Sequence, residues 1–127
     1  MAKRILIIDD DPDFVEAVAT LLGAKGYEVN TANNGEDGYK LAKKIKPNLI
    51  TLDVMMANDS EGFDTSKKIG ADPEINNIPV ILVSGIKKVA DLTYNYETGK
   101  KIIPVKAVLE KPIDAEMFLK TVENYIK

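Results

Sequence analysis

The sequence contains neither cysteine nor histidine. Disulfides and thiolate metal sites are therefore excluded, and no imidazole is present to act as ligand or base. Whatever chemistry the chain performs has to use carboxylates, hydroxyls, lysine amines or a hard cation. Long apolar runs are missing too. The opening MAKRILIIDD is basic at its start, but its apolar run is too short for a signal peptide, and no later run could span a bilayer, so cytoplasmic residence is expected. Nor is there an excess of one charge: 17 basic and 20 acidic residues leave a net charge of -3, which gives no general attraction for nucleic acid or anionic membrane. No internal repeat, low-complexity tract or Pro/Gly/Ser linker interrupts the 127 residues, which read as one domain, 1–127, with no output domain appended.

What is present is an alternation. The runs RILIID, YEVNTA, NLITLD, PVILVS and VKAVLEK read as strands, and their nearly continuous hydrophobicity predicts a sheet covered on both faces. Between them, Phe14, Val15, Val18, Leu21 and Leu22 recur with helical period, as do Gly38, Leu41, Ala42 and Ile45. A weaker helix is predicted over Gly62 to Gly70, and Met117, Phe118, Val122, Tyr125 and Ile126 give the last helix a core-facing side. The expected fold class is α/β: a (βα)5 doubly wound, five-stranded parallel sheet with right-handed crossovers, whose ligand crevice lies beyond the carboxyl ends of the strands.

Ionisable and hydroxyl residues stand at those ends. Asp9 and Asp10 follow the first strand, Asp53 the third, Ser84 the fourth and Lys111 the fifth. Three carboxylates in one crevice repel one another, and the natural counter-charge is a hard divalent cation with oxygen ligands, Mg2+ above all. The third aspartate of the IIDDDPDF stretch, Asp11, precedes Pro12, the pattern of a helix N-cap followed by proline at the first helical position. Lys111 adds a positive charge and the Ser84 hydroxyl can donate to an anion beside the metal. Metal, ammonium and hydroxyl together suit a phosphoryl group, and a carboxylate can take one as nucleophile; Asp53 is the best placed acceptor. A phosphate-cradling cofactor carrier is disfavoured, because three aspartates after strand one would repel the phosphate.

The stretches IIDDDPDF, PNLITLDVMM, IPVILVSG and VLEKPI, in that order, resemble those of the response-regulator receiver domain of two-component signalling, over essentially the whole chain. The resemblance implies the CheY-like, flavodoxin-like strand order 2-1-3-4-5. It further implies that Asp53 accepts phosphate from a histidine kinase or histidine phosphotransfer protein, and that Asp9, Asp10, Asp53 and the Met55 backbone carbonyl organise Mg2+. Ser84 would sense the phosphoryl oxygens, Lys111 would pair with Asp53 and later with phosphate, Gly85 would leave room for the group, and the Lys111–Pro112 bond would be cis. A chain of this kind is a switch that assists its own modification, altering its contact with a downstream protein target. It is not an enzyme turning over substrate.

Several positions depart from the usual receiver pattern. Ala57 stands where the family commonly has proline, and Gly62 lies nine residues beyond Asp53 where eight is usual. Val108 replaces an aromatic that in the family swings inward with the hydroxyl residue. The segment from Ser84 to Lys111 is about five residues longer than in compact receivers. Its Tyr94, Tyr96, Ile102 and Ile103 can serve either as a docking patch or as cover for a sheet edge. Two alternatives to the phosphoacceptor stay open: a receiver-like binding module that works without phosphorylation, and an aspartate-nucleophile phosphohydrolase. The latter typically carries a second acid at the position held by Met55.

Overall fold

A computed structural model describes residues 2–53, 61–84, 105–110 and 113–126. Its strands are β1 (Arg4–Ile8), β2 (Glu28–Ala32), β3 (Leu49–Asp53), β4 (Val80–Ser84) and β5 (Val105–Glu110). The helices are α1 (Pro12–Ala24), α2 (Gly35–Ile45), α3 (Glu61–Ala71) and α4 (Ala115–Tyr125). The expected helix between β4 and β5, within 87–104, falls outside the described residues. All strand pairs are parallel, in the order β2-β1-β3-β4-β5. The strand order is the expected one; α3 is one residue longer at each end than predicted, and the last helix stops at Tyr125, one residue before Ile126.

Alternation along the strands sends successive side chains to opposite faces. Leu6, Ile8, Ile50, Leu52 and Leu82 pack with Ala42 and Ile69 on one face. Ile5, Ile7, Leu49, Ile81 and Val83 pack with Val18, Leu22, Phe118 and Val122 on the other. Both faces are thus dry, which is why the strand sequences lack polar alternation; burying each such side chain is worth about 1.5–3 kcal/mol. The edge strands are less enclosed: β2 residues are exposed or partly buried, and Ala107 and Leu109 of β5 are partly buried.

The N-terminal proline pattern resolves as expected. The Asp11 carboxylate accepts hydrogen bonds from the amides of Asp13 at 3.1 Å and Phe14 at 3.4 Å, with Pro12 opening α1. Two residues assigned to the core side of the last helix are instead exposed, Met117 at 57% and Tyr125 at 39%. The buried face of α4 centres on Phe118 and Val122, one turn apart. Met117 sits about 100° round from Phe118, and Tyr125 is the last residue of the helix.

A polar network clamps α2 to the connection between α3 and β4. The Tyr39 hydroxyl donates to Asp72 Oδ2 at 2.6 Å, Lys43 Nζ lies 3.1 Å from the same oxygen, and the Glu74 amide donates to Asp72 Oδ1 at 2.9 Å. These bonds hold the Asp72 carboxyl below the usual carboxylate range, with the tyrosine hydrogen bond the largest cause. A depressed folded-state pKa contributes stability above the ordinary carboxylate value and loses it as pH falls through the depressed one. Asp72→Asn is therefore expected to lower the melting temperature by a few degrees at pH 7 and by much less at acid pH, where wild-type Asp72 is itself protonated. An equal loss at both pH values, measured by calorimetry, would mean the carboxylate charge contributes nothing.

Candidate functional site

β1 and β3 are adjacent, and Ile8 is level with Leu52. The next residues, Asp9 and Asp53, therefore emerge side by side at the rim of the sheet. The Asp9 amide donates to the Ala32 carbonyl at 3.0 Å, carrying the ladder one residue past β1. Asp9 Oδ1 accepts from the Asp11 amide at 2.9 Å, so the turn that starts α1 also orients this carboxylate. Asp10 lies between them in the chain and is exposed. One carboxylate oxygen each from Asp9, Asp10 and Asp53 lies within 4.8 Å of the other two.

Exposed acidic groups gather often without a ligand, but Asp9 is only 2% exposed and Asp53 4%. Holding anions this close under so little water is costly unless a cation offsets them. An octahedral Mg2+ with oxygens at about 2.1 Å spans pairs of ligands about 3.0 Å apart cis and 4.2 Å trans. The three carboxylate oxygens, within 4.8 Å of one another, are near that range, and the all-oxygen donor set suits a hard cation. The residues present therefore fit Mg2+.

The structure brings together Asp9, Asp10 and Asp53, as the sequence predicts. Ser84 ends β4 and pairs in register with Glu110, while Asp53 pairs with Val83 on the same strand. The backbone of Ser84 is thus one step beyond the level of Asp53, and Glu110, which precedes Lys111, is level with Ser84. The Met55 carbonyl, Gly85 and the Lys111–Pro112 bond lie outside the described residues, as do Ala57, Tyr94 and Tyr96. Asp11 belongs to the helix cap.

Beside the acidic cluster a groove of about 760 Å³ runs between α1 and α2 across the end of β2. Asp9 and Asp10 form one end of it, with Thr31, Asn33, Lys40 and Lys44 farther along. Asp53 does not line this groove, which is offset from the central strand toward β2. Sequence inspection does not reveal it, because its walls come from three separate stretches of chain.

Comparison with known proteins agrees with this geometry. The profile of the response regulator receiver domain matches residues 5–123. Protein PilH of Pseudomonas aeruginosa is 34% identical over 119 residues, covering 94% of this chain and 93% of PilH. Response regulator PleD of Caulobacter vibrioides is 34% identical over 124 residues, which are 98% of this chain but 26% of PleD. Among solved structures, the chemotaxis response regulator CheY4 of Vibrio cholerae superposes with a TM-score of 0.85 at 25% identity, covering 99% of this chain and 100% of CheY4. Fold, acidic rim and sequence similarity converge on one assignment: the chain belongs to the response regulator receiver domain family of two-component signalling.

Proposed function

We propose that this receiver is a phosphoacceptor switch: with Mg2+ present, Asp53 takes a phosphoryl group from a histidine kinase or histidine phosphotransfer protein, and the modified domain changes the protein it binds. The observation that carries this reading is the convergence of three carboxylates within 4.8 Å at the sheet rim, two of them buried. Asp53 is favoured as nucleophile because Asp9 is engaged in the α1 turn and Asp10 faces solvent. Asp9, Asp10, Asp53 and the Met55 carbonyl are the protein ligands this reading assigns to the metal. Mg2+, when bound, supplies charge that offsets the carboxylates and the equatorial phosphoryl oxygens.

In the transfer itself, an Asp53 oxygen attacks phosphorus in line. The new P–O bond forms as the donor's P–N bond breaks, and the bonding pair leaves with the imidazole nitrogen, which picks up a proton. The donor histidine lies outside these 127 residues, which contain none. Ser84 donates its hydroxyl to a phosphoryl oxygen, and Lys111 moves its pairing from the Asp53 carboxylate to the phosphate. The modification then biases a pre-existing equilibrium between two conformations, and with it partner choice. Cytoplasmic residence belongs to the same proposal. Among the described residues, no helix is long and apolar enough to cross a membrane.

The test is incubation with a small-molecule phosphodonor, with and without Mg2+, read by intact-protein mass. One stable phosphoryl group per chain is expected in Mg2+, and none in EDTA or in Asp53→Asn. Continuous release of inorganic phosphate would instead select the phosphohydrolase. Absence of both labelling and turnover would select the binding module, a reading to which Val108 in place of the family's aromatic lends its support.

A further inference from the structure

Gly38 is buried in the first half of α2, where the helix meets β1. A Cβ at this position would stand 2.5 Å from Ile8 Cδ1, 2.7 Å from Cγ1 and 2.9 Å from Cγ2. Carbon atoms in contact prefer about 3.5–4.0 Å, so something would have to move. Gly38 is not among the residues with positive φ, so the glycine is required for space and not for backbone conformation. The contact involves both branches of Ile8 at once, and a β-branched side chain has little freedom about χ1 to turn away. Ile8 is moreover held on both sides, paired with Ala32 on β2 and Leu52 on β3.

The helix has little freedom to retreat either. Asn34 caps its start, accepting from the Asp37 amide at 2.8 Å, and the neighbouring Tyr39 is bonded to Asp72. Among the described residues the last ladder bond of β1 is the one from the Asp9 amide to Ala32, one residue past Ile8, so the strand gives more readily at this end than along its paired middle. A push at Ile8 is therefore passed to Asp9.

We propose that Gly38 is a positioning residue for the Asp9 carboxylate. Its missing side chain lets Ile8 seat the end of β1 against α2, and so holds Asp9 at the height where its oxygen meets those of Asp10 and Asp53. This rests on the reading of the acidic rim as a Mg2+ site.

The experiment is a Mg2+ titration followed by the amide resonances of residues 9 and 10, alongside thermal unfolding in EDTA. Gly38→Ala is expected to weaken Mg2+ binding by about tenfold at a temperature where the variant is fully folded, the scale on which residues that orient metal ligands act. Adding Ile8→Val removes the closest atom and should recover part of that loss. Gly23→Ala, at a site with nothing within 4 Å, should leave the affinity unchanged. A residue that only packs would lower the melting temperature without moving the dissociation constant of the folded protein.

A folded Gly38→Ala with wild-type affinity overturns the proposal, as does a loss that Ile8→Val fails to ease. Alanine is the better helix former, which favours folding of the single variant. Should it not fold, the double variant is read against wild type: two of the three close contacts persist, so equal affinity overturns the proposal and weaker affinity supports it. Failure of the wild type to bind Mg2+ overturns the reading of the rim, and this inference with it. Binding by the wild type that Gly38→Ala leaves untouched overturns this inference alone.

Discussion

Replacing Asp10 by asparagine should raise the melting temperature of the metal-free protein and remove most of the stabilisation that Mg2+ gives the wild type. Unit charges about 5 Å apart repel by roughly 3 kcal/mol at an effective dielectric constant of about 20. Asp10 is exposed, so water and salt reduce its share to about 1 kcal/mol, a gain of a few degrees on neutralisation. In the opposite direction, Mg2+ at 100 times its dissociation constant stabilises the folded state by about 2.7 kcal/mol, or roughly 10 °C for a domain of this size. The asparagine loses a charged ligand and most of that gain. Asp10 suits the test better than Asp9, whose carboxylate also orders the start of α1 through the Asp11 amide. Calorimetry in EDTA and in excess Mg2+ gives both numbers. An Asp10→Asn variant that melts lower without metal, or that keeps the full Mg2+ gain, would show that repulsion at the rim is not what the cation relieves.

The same carboxylates explain why so much of the molecule is legible in one dimension. Strands that are dry on both faces must be written as apolar runs, so RILII, LITLD and VILVS announce themselves, and residues that interrupt such runs at their carboxyl ends stand out as candidates. Asp11 is separable from its two neighbours because a cap followed by proline has its own local signature. The Tyr39–Asp72 bond has no such signature, since its partners are 33 residues apart and nothing near either one points to the other. Gly38 is likewise visible only as a small residue on an apolar stripe. That its hydrogen stands where a methyl would strike Ile8 depends on the distance between a helix and a strand, which periodicity does not encode. Met117 shows the converse failure: it fits the apolar pattern of α4, yet it lies outside the arc that Phe118 and Val122 bury.

The lifetime of the phosphoryl group on Asp53 is expected to be long, and to shorten by roughly 10- to 100-fold in the double variant Met55→Asn/Ile86→Glu. Hydrolysis of an acyl phosphate needs a water in line with the bond to the Asp53 oxygen. As the water oxygen bonds to phosphorus, the P–O bond to the carboxylate breaks and Asp53 is regenerated with release of inorganic phosphate. If Asp53 is the acceptor and Ser84 the hydroxyl residue, the positions expected to flank the approach of that water are two residues beyond each, and the sequence has Met55 and Ile86 there. Both residues lie outside the described residues, but neither kind of side chain can orient a water by hydrogen bonding or accept its proton. An amide at 55 and a carboxylate at 86 supply the missing acceptor groups. Label remaining on the protein after donor removal, at fixed Mg2+, measures the rate. The volume-conserving apolar pair Met55→Leu/Ile86→Leu should leave that rate near wild type, because it restores space for the water no better than it restores hydrogen bonding. Equal lifetimes in the polar and the apolar pair would mean that access and orientation of water at these two positions do not set the rate, leaving the fixed geometry of Asp53 and its counter-charges to account for it.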